Sequence, residues 1–160
     1  MKNFELTNET IVNDCGVTLH RIKAVKDIIA PRFTVKAGEL GGFVEKVDNL
    51  DGDAWVFDNA RVYGNALVFD NALVFDNARV YGDAEVFRTN HYLVVGPIGS
   101  RDDYTTFFRS KDGVIKVKCG CFKGTTDEFL AKVEKTHGNS KYAKVYRMAT
   151  EMALAQIDTN

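Results

Sequence analysis

Residues 52–87 repeat one six-residue phrase six times without interruption: GDAWVF, DNARVY, GNALVF, DNALVF, DNARVY and GDAEVF. A period this regular constrains the middle of the chain to a repeat architecture. Each phrase reads Gly or Asp, then Asn or Asp, then Ala, a variable residue, Val and an aromatic. Taken as a short strand, Ala-x-Val-x puts Ala and Val on one face and the variable residue and the aromatic on the other. The two leading residues tolerate left-handed backbone angles and suit a sharp corner. A short strand and a corner, repeated, wind into a parallel β-helix. The pairs Ala54/Val56, Ala60/Val62, Ala66/Val68, Ala72/Val74, Ala78/Val80 and Ala84/Val86 are expected to point inward and fill a narrow prism.

The pattern resembles the left-handed β-helix of hexapeptide-repeat proteins, in which three hexads make one triangular coil. The resemblance implies two coils over 52–87. A weaker, irregular coil precedes them, since Gly42, Val44 and Leu50 lie eighteen residues before Ala60, Val62 and Val68. Lys36 and Gly38 fit the inward pattern poorly. In such a coil, positions eighteen apart stack. Face one then carries Trp55 and Phe57 above Leu73 and Phe75. Face two carries Arg61 and Tyr63 above Arg79 and Tyr81. Face three carries Leu67 and Phe69 above Glu85 and Phe87. Face two is expected to be solvated, with Arg lying over Tyr. Faces one and three are too apolar for water and mark an interface. Each large side chain there is worth about 1.5–3 kcal/mol when buried. Self-association through Trp55, Phe57, Leu67, Phe69, Leu73, Phe75 and Phe87 is the expectation. Coverage by the chain's own flanks and a foreign partner are the alternatives. A closed symmetric assembly follows from self-association, and the resemblance implies a homotrimer.

Composition narrows the classes. The chain has 160 residues and a formal net charge of −1, which argues against charge-driven nucleic-acid binding. No apolar run of about eighteen residues is present, so no membrane span is expected. The start Met1-Lys2-Asn3-Phe4-Glu5 lacks the apolar centre of a signal peptide. Three cysteines then read as free thiols in a reducing cytoplasm.

Three segments are expected: 1–50, a β cap with the irregular first coil; 51–88, the repeat; and 89–160, an α+β unit. The class is mainly β with an α+β C-terminal unit. In the first segment, Thr10-Ile11-Val12 and Val17 to Ile22 flank the turn sequence Asn13-Asp14-Cys15-Gly16 and predict a hairpin. A loop is expected near Pro31. In the last, 91–95, 104–109 and 114–119 predict three strands, with Lys111-Asp112-Gly113 as a hairpin turn. Thr125 with Glu128 makes a capping box for a helix that Gly138 ends. Ser140 opens a second helix with Tyr142, Val145, Tyr146, Ala149, Met152 and Ala153 on one stripe.

The phrases LHRIKA at 19–24, GELGGFVE at 38–45, the hexads, GPIGSR at 96–101 and CGCF at 119–122 together resemble a family of uncharacterised phage and prophage proteins. That resemblance implies a bacterial cytoplasmic setting and an accessory, counter-defence role. It implies no catalytic residues.

Few constellations suggest chemistry. Hexapeptide-repeat acyltransferases use a His base in a groove between coils. The hexads here contain no His, and His20 and His91 lie outside them without an identifiable orienting partner. The loop from Gly96 to Arg101 is the best ligand-site candidate. Gly96 and Gly99 let backbone approach an anion, Ser100 supplies a hydroxyl, and Arg101 pairs with phosphate or carboxylate. Lys116, Lys118 and Lys123 are expected to add positive potential. The alternative is a tight turn with Arg101 paired to Asp102 or Asp103. Cys119-Gly120-Cys121 puts two thiols on one face of an extended strand. His137 would complete a third ligand, but a zinc site normally needs more, so packing is expected and no metal. The stacked corners Asp58 and Asp76 read as solvated turns. The leading functional expectation is a non-enzymatic oligomer that captures a host protein or a small anionic, nucleotide-like signal, without a cofactor. An acyl-coenzyme A-dependent acyltransferase and a structural virion component are the alternatives.

Overall fold

The computed structural model describes residues 1–159. They divide into two compact units, one from Met1 to Thr89 and the other from Asn90 onward. Among the described residues, no helix is long and apolar enough to cross a membrane.

The first unit opens with the hairpin of β1 (Phe4–Val12) and β2 (Thr18–Ala24), paired antiparallel. Its turn forms because Asn13 Oδ1 accepts the backbone N–H groups of Cys15 and Val17 at 2.9 and 3.0 Å. Gly16 supplies the left-handed angle, φ 78°. Around Pro31, where only a loop was expected, β3 (Ile28–Ala30) and β4 (Phe33–Val35) make a small hairpin. β5 (Leu40–Val44) pairs antiparallel with β2.

The hexads contribute six two-residue strands: β6 (Trp55–Val56), β7 (Arg61–Val62), β8 (Leu67–Val68), β9 (Leu73–Val74), β10 (Arg79–Val80) and β11 (Glu85–Val86). They pair in parallel with partners eighteen residues on: Trp55 with Leu73, Arg61 with Arg79, Leu67 with Glu85. The irregular first turn joins the same register, Phe43 with Arg61, Val44 with Val62 and Leu50 with Val68. Backbone rungs run the same way, for example Trp55 N–H to Ala72 C=O at 3.1 Å and Leu67 N–H to Ala84 C=O at 2.9 Å. All twelve inward Ala and Val side chains are buried, as the alternation requires. The first residue of every hexad is left-handed: Gly52, Gly64 and Gly82 at φ 62–67°, and Asp58, Asp70 and Asp76 at φ 54–58°. Asp is among the few non-Gly residues that hold this conformation.

The outward faces depart from expectation. Trp55 is buried within the single chain, 1% exposed, so it is not part of any open surface. Phe57 stacks on Phe75 with centroids 4.9 Å apart and meets the edge of Phe33 from β4 at 6.4 Å. Face two is covered rather than solvated. Because β1, β2 and β5 extend the sheet of β7 and β10, Tyr63 packs with Leu19 and Phe43, flanked by Ile11, Val17 and Tyr81. Arg21 lies 4.4 Å over the Phe43 ring. On face three, Phe69 stacks on Phe87 at 5.2 Å. Leu67 remains 40% and Phe75 36% exposed, while Leu73 is half-buried.

The second unit is a four-stranded antiparallel meander of β12 (Tyr92–Ile98), β13 (Asp103–Arg109), β14 (Ile115–Cys119) and β15 (Phe122–Thr125). The fourth strand replaces the single long one expected at Cys119-Gly120-Cys121. Gly120, at φ 56°, turns the chain so that Cys119 pairs with Phe122. α1 (Thr126–His137) is capped by Thr125, whose hydroxyl accepts Glu128 N–H at 3.2 Å. It ends at Gly138, φ 56°. α2 (Lys141–Gln156) is capped by Ser140. Both helices pack on one sheet face over Phe107, Ile115 and Val117. The buried stripe of α2 is Ala143, Tyr146, Ala149, Thr150 and Ala153. Met152, expected in it, is 51% exposed.

Candidate functional site

The second unit carries a cleft of about 420 Å³ between the tip of its sheet and α1. Three segments build it. The β12–β13 loop contributes Ile98, Ser100, Arg101 and Asp103. The β14–β15 turn contributes Cys119 to Lys123. One face of α1 contributes Phe129, Lys132, Val133, Thr136 and His137, with Tyr146 of α2 at the base.

Each element is held for a local reason. Gly99 sits at φ 77° against the Tyr146 ring. A Cβ there would lie 1.7 Å from the tyrosine oxygen, so only glycine allows the loop to approach. A Cβ at Gly120 would lie 3.0 Å from Arg101 Nη1, so the guanidinium lies across that turn. Cys119 Sγ accepts the Thr105 hydroxyl at 3.3 Å, and Asp103 Oδ1 accepts Tyr104 N–H at 2.7 Å. The His137 ring rests 5.7 Å from Tyr146 and 5.8 Å from Tyr142. Phe129 meets Tyr146 edge-on at 5.6 Å.

Electrostatics at the base follow from this packing. Burial pushes the Tyr146 phenol up to about 12, helped by the adjacent Cys119 thiol and by Asp103, and opposed by Arg101. The phenol is therefore a neutral hydroxyl at ordinary pH. Arg101 is exposed and makes no hydrogen bond or ion pair among the described residues. The expected pairing with Asp102 or Asp103 does not form. Lys132, on the exposed side of α1, is likewise without an ion pair among the described residues.

The predicted ligand residues divide. Ser100 and Arg101 line the cleft. Gly99 positions them. Gly96 lies within β12, where a Cβ would meet Tyr104 Cα at 2.8 Å, so it serves strand pairing. Lys116 and Lys118 alternate with Ile115, Val117 and Cys119 along β14 and therefore face the other side of the sheet from the helices. Lys118 is buried there and donates to the Gly120 carbonyl. Lys123 borders the cleft, but its register opposite Lys118 sends its side chain to that far face as well. Cys119 and Cys121 both line the cleft with His137. Among the described residues, no three His, Cys, Asp or Glu side chains are grouped to hold a metal ion. His20 sits in β2 with Nδ1 3.2 Å from Thr7 C=O, and His91 is fully buried.

Sequence reasoning named only His137 on the α1 side and missed the rest of that face. Residues 129, 132, 133, 136 and 137 follow the i, i+3, i+4, i+7, i+8 spacing of one helix face. That spacing holds two core residues and three polar ones, a signal for a face that is half core and half cleft. No protein-family model, curated protein or solved structure matches the chain.

Proposed function

We propose that the protein is a non-enzymatic, self-associating binding protein. Its coil, taken as a left-handed β-helix of the hexapeptide-repeat kind, is the stem, and the cleft of the second unit receives a small anionic ligand. The observation that carries this reading is Arg101, an exposed guanidinium at the mouth of a formed cleft with no anion of its own. A guanidinium so placed forms strong, charge-assisted hydrogen bonds with phosphate or carboxylate. The half-open apolar side chains Leu67 and Phe75, with the stacked Phe69 and Phe87, support association of copies, most simply as a trimer. The resemblance to phage and prophage proteins makes a counter-defence factor, capturing a small signal inside a bacterial cell, the natural setting.

Thermal unfolding with a panel of nucleotides, organic anions and acyl-coenzyme A tests the reading. A ligand at a hundred times its Kd adds about 2.7 kcal/mol. That gain is expected with an anion, and Arg101→Ala should remove it. Stabilisation by acyl-coenzyme A alone would favour the acyltransferase class. The mass in solution tests the stem, and a monomer at working concentration would reject the assembly.

A further inference from the structure

The reading of the cleft as an anion receptor leaves the ligand's chemistry open, and the cleft narrows it. Resting on that reading, we propose that the ligand is one phosphate monoester joined to one flat ring, of the size of a nucleoside monophosphate.

Volume sets the first limit. Small-molecule sites span about 300–1,000 Å³, and this cleft, at about 420 Å³, is near the lower end. One ring, one sugar-sized spacer and one anionic head fit such a space. A dinucleotide or a pantetheine arm would leave most of its length in water.

Charge sets the second. The side chains turned to the cleft carry the cations Arg101 and Lys132 and the carboxylate Asp103. Arg101 has no competing acceptor, so a phosphate is bound there without displacing a salt bridge. Asp103 keeps its acceptor capacity beyond the single bond from Tyr104 N–H. It would repel a second phosphate and accept a ligand hydroxyl or amino group instead. A ligand with one anionic head and one hydrogen-bond donor satisfies both, whereas a polyphosphate does not.

The walls set the third. On the α1 side, Phe129 and Val133 give an apolar surface, with Thr136 and the His137 ring at its edge. At the base, the Tyr146 ring closes the site, with its hydroxyl hydrogen-bonded to the Cys119 side chain. An apolar wall opposite a guanidinium suits a ring carrying an anionic tail. It gains nothing from a bare inorganic anion.

Calorimetric titration of the full chain with adenosine monophosphate, guanosine monophosphate, adenosine, inorganic phosphate, succinate and a dinucleotide tests this. At least one monophosphate is expected to bind more tightly than phosphate alone and than the nucleoside. Arg101→Ala should weaken the monophosphate about ten- to a hundredfold, the range for a hydrogen bond to a charged group, and leave adenosine unchanged. Lys132→Ala should give a smaller loss. Both residues are exposed, and circular dichroism checks that the variants fold. Phosphate binding as well as the monophosphates, or succinate or the dinucleotide binding in their place with Arg101 dependence, would overturn the ligand class and leave the anion receptor standing. No anion binding at all would overturn both.

Discussion

Gly82 in the coil and Gly99 in the second unit share a left-handed backbone, φ 67° and 77°, but they are glycine for different reasons. At Gly82, a Cβ would meet no atom within 4 Å among the described residues. At Gly99, it would strike the Tyr146 oxygen at 1.7 Å and its Cζ at 2.3 Å. The coil residue answers to a conformational rule that five other corners obey. The loop residue answers to one neighbour. The largest effect we expect comes from testing that difference. Gly82→Ala should cost about 1–2 kcal/mol, the penalty for a left-handed residue. Gly99→Ala adds overpacking of about 1–3 kcal/mol, so its total should reach about 2–5 kcal/mol. Denaturant midpoints compare the two, and hydrogen exchange locates the Gly99 loss in residues 90–159. Tyr146→Phe should restore only part of it, because Cζ stays in place. Equal costs at the two glycines would erase the distinction.

The same contrast explains what was legible in the chain. In the coil, inward Ala and Val, left-handed corners and an eighteen-residue register follow from a six-residue period, because side-chain parity and corner chemistry are local. The Asn13 turn and the Thr125 and Ser140 caps are local in the same way. What lies above an outward residue is not local. Tyr63 and Trp55 are outward in the phrase, yet both are buried. Cys119-Gly120-Cys121 looked extended because each residue type allows a strand, and only the closing partner Phe122 makes Gly120 a turn. Half the cleft was readable: Ser100 and Arg101 sit on a glycine loop that stands out in the sequence. Lys116 and Lys118 were not separable from it without the sheet register that turns them away. The α1 wall was hidden in a stripe that reads as ordinary core.

A second test uses two buried phenols, one in each unit. Burial pushes both Tyr63 and Tyr146 up to about 12 from the ordinary 10. Each folded-state value lies above its unfolded one, so the folded chain keeps the proton longer. The stabilisation is complete below pH 10 and is lost as pH rises towards 12. For Tyr63, sealed by Leu19 and Phe43, the loss should approach but not exceed about 2 kcal/mol, allowing for solvent reaching the ring edge. Tyr63→Phe should flatten that part of the profile of denaturant midpoint against pH. Arg101→Ala should push the Tyr146 titration higher still and leave Tyr63 unmoved, because the guanidinium opposes the shift only at Tyr146. Movement of Tyr63 would mean that its environment is not set by its own coil and hairpin.

The smallest effect is the sharpest test of whether the coil obeys a rule. Hexad corners are Gly at three positions and Asp at three, and Asp58, Asp70 and Asp76 hold φ 54–58° with a Cβ in place. Asp stabilises this conformation through its short polar side chain, which hydrogen-bonds locally, whereas Ala has no such group. Gly82→Asp should therefore cost less than about 1 kcal/mol and less than Gly82→Ala. Gly64→Asp should cost more than Gly82→Asp, because a Cβ at Gly64 would meet Gly82 N at 3.0 Å. Thermal midpoints of the three variants give the order Gly82→Asp, Gly82→Ala, Gly64→Asp only between the first and each of the others, since strain and crowding act separately. If Gly82→Asp is as costly as Gly82→Ala, corner chemistry does not set the repeat. Gly82 would then be required for its backbone angle alone, and the division between a coil built on corner chemistry and a second unit built on single contacts would fail.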